Sequence, residues 1–214
     1  MQTKTLSFAI VAALLVVSVM VISETQIAEA KKAPKEHKAP KHFKAKINAN
    51  QEVIDPIKHG DPALWDDVKA KGDVKFKLSK DGSELKYKIK IKDIKNIVGI
   101  HIHNGAPGMN AHDHLVDIIE TDTSNPINQK GKHFKWSGVI TDEDVLNGGC
   151  HDHDGYMIPG CDPNRDLSDV IDAMSISHAY LQVHTSSDAI KDSTGPGDLY
   201  GPGEVRGNIS PGHK

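Results

Sequence analysis

Cysteine is scarce in this chain. There are two in 214 residues, Cys150 and Cys161, so at most one intramolecular bridge can form. Aromatic residues are equally thin at 5%, while glycine (18) and proline (11) are plentiful. That balance suits a turn-rich β protein better than a helical one. A basic excess is missing too: Lys and Arg total 26 against 29 Asp and Glu, for a formal net charge of −3. The electrostatic footprint of a nucleic-acid binder is therefore absent. No G-x-S-x-G or H-E-x-x-H motif occurs, and no catalytic constellation stands out. After residue 22 there is no long apolar run.

What the chain has in excess is histidine, 13 residues in all. Most of these read as ordinary polar surface residues.

The first thirty residues read as a targeting segment. Lys4 precedes the apolar run Leu6–Ile22, and Ala28-Glu29-Ala30 is an A-x-A cleavage site, with cutting expected after Ala30. The apolar run also approaches the roughly 20 residues of a membrane span, so an uncleaved anchor through residues 6–22 is the alternative. Either reading exports the rest of the chain to the cell surface or beyond. Residues 31–41, KKAPKEHKAPK, form a Lys/Pro-rich linker too charged to bury a core. The folded domain is expected over 42–210, with a short tail at 211–214.

Within that domain apolar and polar residues alternate in short runs, the period of half-buried strands. Phe43, Ala45, Ile47 and Ala49 share one face of the first run. Val74, Phe76 and Leu78, then Leu85, Tyr87, Ile89 and Ile91, flank Asp81-Gly82, a hairpin signal. The lysines alternating with the second run predict a solvated comb that also guards a sheet edge. Further strands are expected over 99–104, 115–119, 133–140, 179–184 and 204–209. Short helices are expected over 62–69, after Thr141 and over 166–173. The sum is an all-β chain, an antiparallel Greek-key β-sandwich with short helices in its connecting loops.

The chemistry gathers around Gly99-Ile100-His101-Ile102-His103-Asn104-Gly105. On a strand, His101 and His103 share one face and Ile100 and Ile102 the other. His184 lies opposite the Leu181/Val183 face of its own strand. If the two strands are close, the three imidazoles converge on a copper or zinc site with an open position. The competing reading is that these histidines hydrogen-bond the following loop and close the end of the fold. His112 and His114, and His151 and His153 in the Asp-rich segment, are candidate extra ligands or plain polar loop residues. Cys150 and Cys161 are expected to form a disulfide in an exported protein, worth about 3 kcal/mol in the chain-entropy model. A zinc site from Cys150, His151, His153 and Cys161 is the alternative. Asp152-x-Asp154-Gly155 lacks the downstream Glu of an EF-hand loop.

Five motifs in order resemble the CHRD domain first described in chordin. They are Gln51-Glu52-Val53, Asp81-Gly82 with Leu85-x-Tyr87, HIHNGAPG at 101–108, AYLQVHT at 179–185 and GPGEVRG at 201–207. The resemblance spans about 43–210, with a longer insertion at 141–178. It implies an exported module. A more distant likeness to copper/zinc superoxide dismutase rests on the Gly-x-His-x-His strand and on Gly203–Arg206, and it implies a Greek-key sandwich. Neither likeness assigns an activity. Two functions follow as expectations. The first is a binding or structural module at the cell surface, without turnover, for an extracellular protein or surface partner. The alternative is a copper- or zinc-binding protein with a dismutase-like or metal-handling role, using His101, His103 and His184.

Overall fold

A computed structural model describes residues 39–54, 62–66, 68–111, 113–121, 124–130, 133–146, 164–186 and 203–212. The expected leader, nearly all of the linker, His112, and the Cys150–Cys161 segment with His151 and His153 lie outside the described residues.

The alternating runs form eight strands: β1 (His42–Asn48), β2 (Lys71–Leu78), β3 (Leu85–Lys92), β4 (Ile97–Asn104), β5 (His114–Glu120), β6 (His133–Ile140), β7 (Ala179–Thr185) and β8 (Val205–Pro211). Every pairing is antiparallel, and the strands join edge to edge in the order β5-β4-β7-β8-β1-β2-β3-β6. The all-β expectation is met. The sheet curls, and the segment that follows β6 returns to the β5 edge. Val116 on β5 forms a bridge with Val145, just past β6, and Leu146 N–H donates to the Leu115 carbonyl.

The inner face holds the core. Phe43, Val74, Leu85, Ile91, Ile100, Ile102, Leu181 and Val183 are all buried there. Each such side chain contributes about 1.5–3 kcal/mol relative to exposure. Among the described residues one α-helix, α1 (Leu167–Ser175), packs on β7 and β8. Leu167, Val170, Ile171 and Met174 are spaced at i, i+3, i+4 and i+7, and all four are buried. Asp166 caps α1 by accepting from the Ser168 and Asp169 amides.

Two local expectations change. The helix predicted over 62–69 is a 3-10 turn at Pro62–Trp65. Trp65 is nonetheless buried, and its indole N–H donates to the Gly203 carbonyl at 3.1 Å. The lysine comb does not guard an edge, because β3 is paired on both sides, by β2 and by β6. Among the described residues no helix is long and apolar enough to cross a membrane.

Candidate functional site

The site lies on the outer face of the sheet, over β5, β4 and β7. Strand alternation turns His101 and His103 away from the core side chains Ile100 and Ile102, as the sequence predicts. In the pairing of β4 with β7, His103 faces Tyr180, His101 faces Gln182 and Gly99 faces His184. This polar face is nevertheless buried, with His101, His103 and His184 exposed by 1%, 4% and 2%.

The third strand of the site is irregular. His103, His101 and Gly99 face His114, Asp117 and Glu120 on β5, so residues two apart on β4 meet residues three apart on β5. Two bulges on β5 absorb the difference. They bring His114, Asp117 and Glu120 to the same face as the paired histidines.

Four imidazoles meet there. The His114 ring centroid is 4.3 Å from both His101 and His103, and His184 is 5.1 Å from His101. One ligand atom from each of His101, His103 and His114 fits within a 4.8 Å span, as does one from each of His101, Asp117 and Glu120. The ring of His184, predicted as a third ligand, lies beside this group.

Three rings are each held by an acceptor at one nitrogen. His101 donates from Nε2 to the Glu120 carboxylate at 2.6 Å. His103 donates from Nδ1 to the Ala111 carbonyl at 2.8 Å. His114 donates from Nδ1 to Asp117 at 2.8 Å. In the neutral form of each ring these bonds set the tautomer and leave the opposite nitrogen with its lone pair. On His101 that atom is Nδ1 and on His103 it is Nε2. Both are buried without a hydrogen-bond partner.

The electrostatics favour neutral imidazole at His103. Burial first, and then the neighbouring charges of His114, His101 and His184, push its pKa well below the ordinary histidine value. Burial works against the charged form of Asp117. The His114 hydrogen bond and the charges of His101, His114 and His184 outweigh that and hold its pKa below the usual value.

A supporting layer holds the ligands. The Tyr180 ring stacks on His103, and its hydroxyl donates to the Ala111 carbonyl at 2.9 Å. Arg206, from β8, places its guanidinium carbon 3.4 Å over the Tyr180 ring and donates to the Met109 carbonyl at 2.6 Å. Gly105 leaves room for that ring, since a Cβ there would meet Tyr180 at 2.9 Å. Arg165 forms a two-pronged pair with Asp113, beside His114. Behind Tyr180, Gln182 donates to Glu52 at 2.8 Å, and burial pushes the Glu52 carboxyl up to about 8.

Sequence reasoning brought His101, His103 and His184 together and offered His114 as a spare ligand. It missed Asp117, because strict alternation along β5 separates it from His114, and it did not single out Glu120, which alternation leaves on the His114 face. It also missed Tyr180 and Arg206 as supports, although both stand in motifs already singled out.

The chain belongs to the CHRD family: the CHRD domain model matches residues 43–189, more than half of its length. The match runs from β1 through β7, and β8 with Arg206 lies past its end. This family is an extracellular type of module. No curated protein matches the chain.

Proposed function

We propose that this CHRD domain is an exported metal-binding module that takes one copper or zinc ion in its histidine cluster. One observation carries the reading: two buried imidazoles each keep a nitrogen lone pair without a partner, while their other nitrogen is fixed by an acceptor. An unpaired buried polar atom costs about 1–3 kcal/mol, and a bound ion removes that cost twice over. Imidazole donors suit copper and zinc, and a carboxylate or carbonyl behind each ring is how metal-binding histidines are usually oriented. His101 Nδ1, His103 Nε2 and His114 Nε2 are the proposed ligand atoms, with His184 as the fourth imidazole.

The alternative set of His101, Asp117 and Glu120 is weaker, because both carboxylates already serve as acceptors for histidine N–H groups. We read the module as one that binds and presents its ion at the cell surface, without predicted turnover. The leader, or an anchor through residues 6–22, would deliver it there. The halves β5-β4-β7-β8 and β1-β2-β3-β6 are read as the two layers of the expected Greek-key sandwich. The likeness to superoxide dismutase enters through the choice of ions and of the first activity to assay.

The test is metal analysis with copper and zinc titration calorimetry on the purified protein, beside a His101/His103/His114→Gln variant and a His184→Gln variant. The reading predicts one ion per chain, lost in the triple variant and weakened in the single one. Absent binding, or binding that the triple variant retains, refutes it and leaves a partner-binding module.

A further inference from the structure

A second surface, independent of the metal site, carries a concentration of positive charge that the fold does not require. The outer face of β1, β2 and β3 sets lysines directly opposite one another. Lys44, Lys75 and Lys88 form one row across the three strands, and Lys77 faces Lys86 in the next. Lys90 faces Lys135 on β6. All of these side chains are exposed. At a shallow depression of about 500 Å³, Lys46, Lys71, Lys90, Lys92 and His133 come together at one end of this face.

Like charges directly opposite on a sheet destabilise it, and alternating Lys with Glu would solubilise the face at no such cost. Edge protection does not account for the pattern, because β1, β2 and β3 are each paired on both sides. Among the described residues, Asp73, paired with Lys46, is the carboxylate that stands in these registers, and Glu84, just before β3, pairs with Lys86 at 3.2 Å. The chain as a whole is slightly acidic at −3, so the positive charge is segregated to this face.

We propose that the lysine face binds a linear polyanionic glycan, a sulfated or carboxylated polysaccharide laid across the strands. Directly opposite residues on neighbouring strands have Cβ atoms about 5 Å apart, and a regularly charged chain can match that repeat. Lysine offers point charges rather than the planar fork of arginine, which fits recognition by charge density over recognition of one headgroup. Single-stranded nucleic acid fits less well, since among the described residues no Phe, Tyr or Trp points out among these lysines for bases to stack on. A planar lipid surface also fits less well. The sheet curls around its core, so this outer face is convex and a flat bilayer would meet only part of it.

The experiment measures binding of the purified protein to dextran sulfate across a salt series. Single-stranded oligonucleotide and phosphatidylserine vesicles run in parallel. Binding should be tight at low salt and fall steeply as salt rises. A Lys75→Glu/Lys88→Glu variant should lose at least tenfold in affinity, and a Lys75→Gln/Lys88→Gln variant should lose less. Lys95→Glu/Lys130→Glu, outside the paired rows of β1, β2 and β3, should lose less than the row variant. The Lys75→Glu/Lys88→Glu variant should keep the parent's far-ultraviolet circular dichroism and a cooperative thermal transition, which establish that it is folded. Absence of binding at low salt, an equal loss in the Lys95/Lys130 control, or tighter binding to the oligonucleotide or the vesicles would overturn the proposal.

Discussion

The imidazole of His103 and the phenol ring of Tyr180 stack 4.8 Å apart, with their planes 2° from parallel. The two side chains also meet at a second point, because His103 Nδ1 and the Tyr180 hydroxyl both donate to the Ala111 carbonyl. His103 is therefore oriented twice by one neighbour, through ring contact and through a shared acceptor.

Removing only the hydroxyl separates those effects. Tyr180→Phe keeps the stack and frees the Ala111 loop. Losing a group that orients a metal-binding histidine typically weakens the metal by about 10–100-fold. We expect copper and zinc affinity to fall toward the lower end of that range, with the far-ultraviolet circular dichroism unchanged. Calorimetric titration at fixed pH is the check.

Glu120→Gln tests the opposite side of the cluster. The carboxylate accepts from His101 Nε2 at 2.6 Å, and it draws electron density toward the lone pair on Nδ1. An amide can present its NH₂ to the ring instead and favour the other tautomer. A loss of about 10–100-fold in metal affinity is expected, with little change in the melting temperature of the metal-free protein. A large drop in that melting temperature would instead mark the Glu120–His101 bond as structural.

Glu52 gives a pH dependence with a defined sign. Its carboxyl is raised from 4.5 to about 8, chiefly by burial, against the Gln182 hydrogen bond and the Arg206 charge. Between those values the folded chain holds a proton that the unfolded chain has released. Stability therefore falls as pH rises through that window, by at most about 1.4 kcal/mol per unit. Below the window both states are protonated and the effect disappears. Glu52→Gln cannot ionise, so its melting temperature should stay flatter than the parent's from about pH 5 to about pH 8. Parallel curves for the two proteins would show that Glu52 is charged in the fold.

Asp166→Ala removes the acceptor for two α1 amides and should cost about 1 kcal/mol. Denaturant unfolding measures it, and metal affinity should not move, since α1 contributes no residue to the cluster.

Strands with one dry face were legible in the sequence because their period is two. The runs around Phe43, Phe76 and Ile89 declared both their extent and their buried side, whereas β7 around Leu181 is buried on both faces. The same period put His101 and His103 together, and it placed His184 on the face of β7 that neighbours them. Legibility ended where the period broke. The first of two bulges on β5 carries Asp117 to the histidine face and the second restores the phase at Glu120, and nothing in HLVDIIE marks a bulge. Register between distant strands was equally hidden. That Arg206 would cover Tyr180 follows from β8 lying beside β7, a pairing set by the whole sheet rather than by either segment. The lysine comb was visible, but its meaning depended on whether β3 was an edge or an interior strand.

The most direct test of the metal centre is X-ray absorption spectroscopy of the zinc-loaded protein after exhaustive desalting. The account predicts a first shell with at least three imidazole nitrogens at about 2.0 Å, diminished by the His101/His103/His114→Gln substitution. Zinc that washes away, or a shell made of oxygen alone, would contradict it.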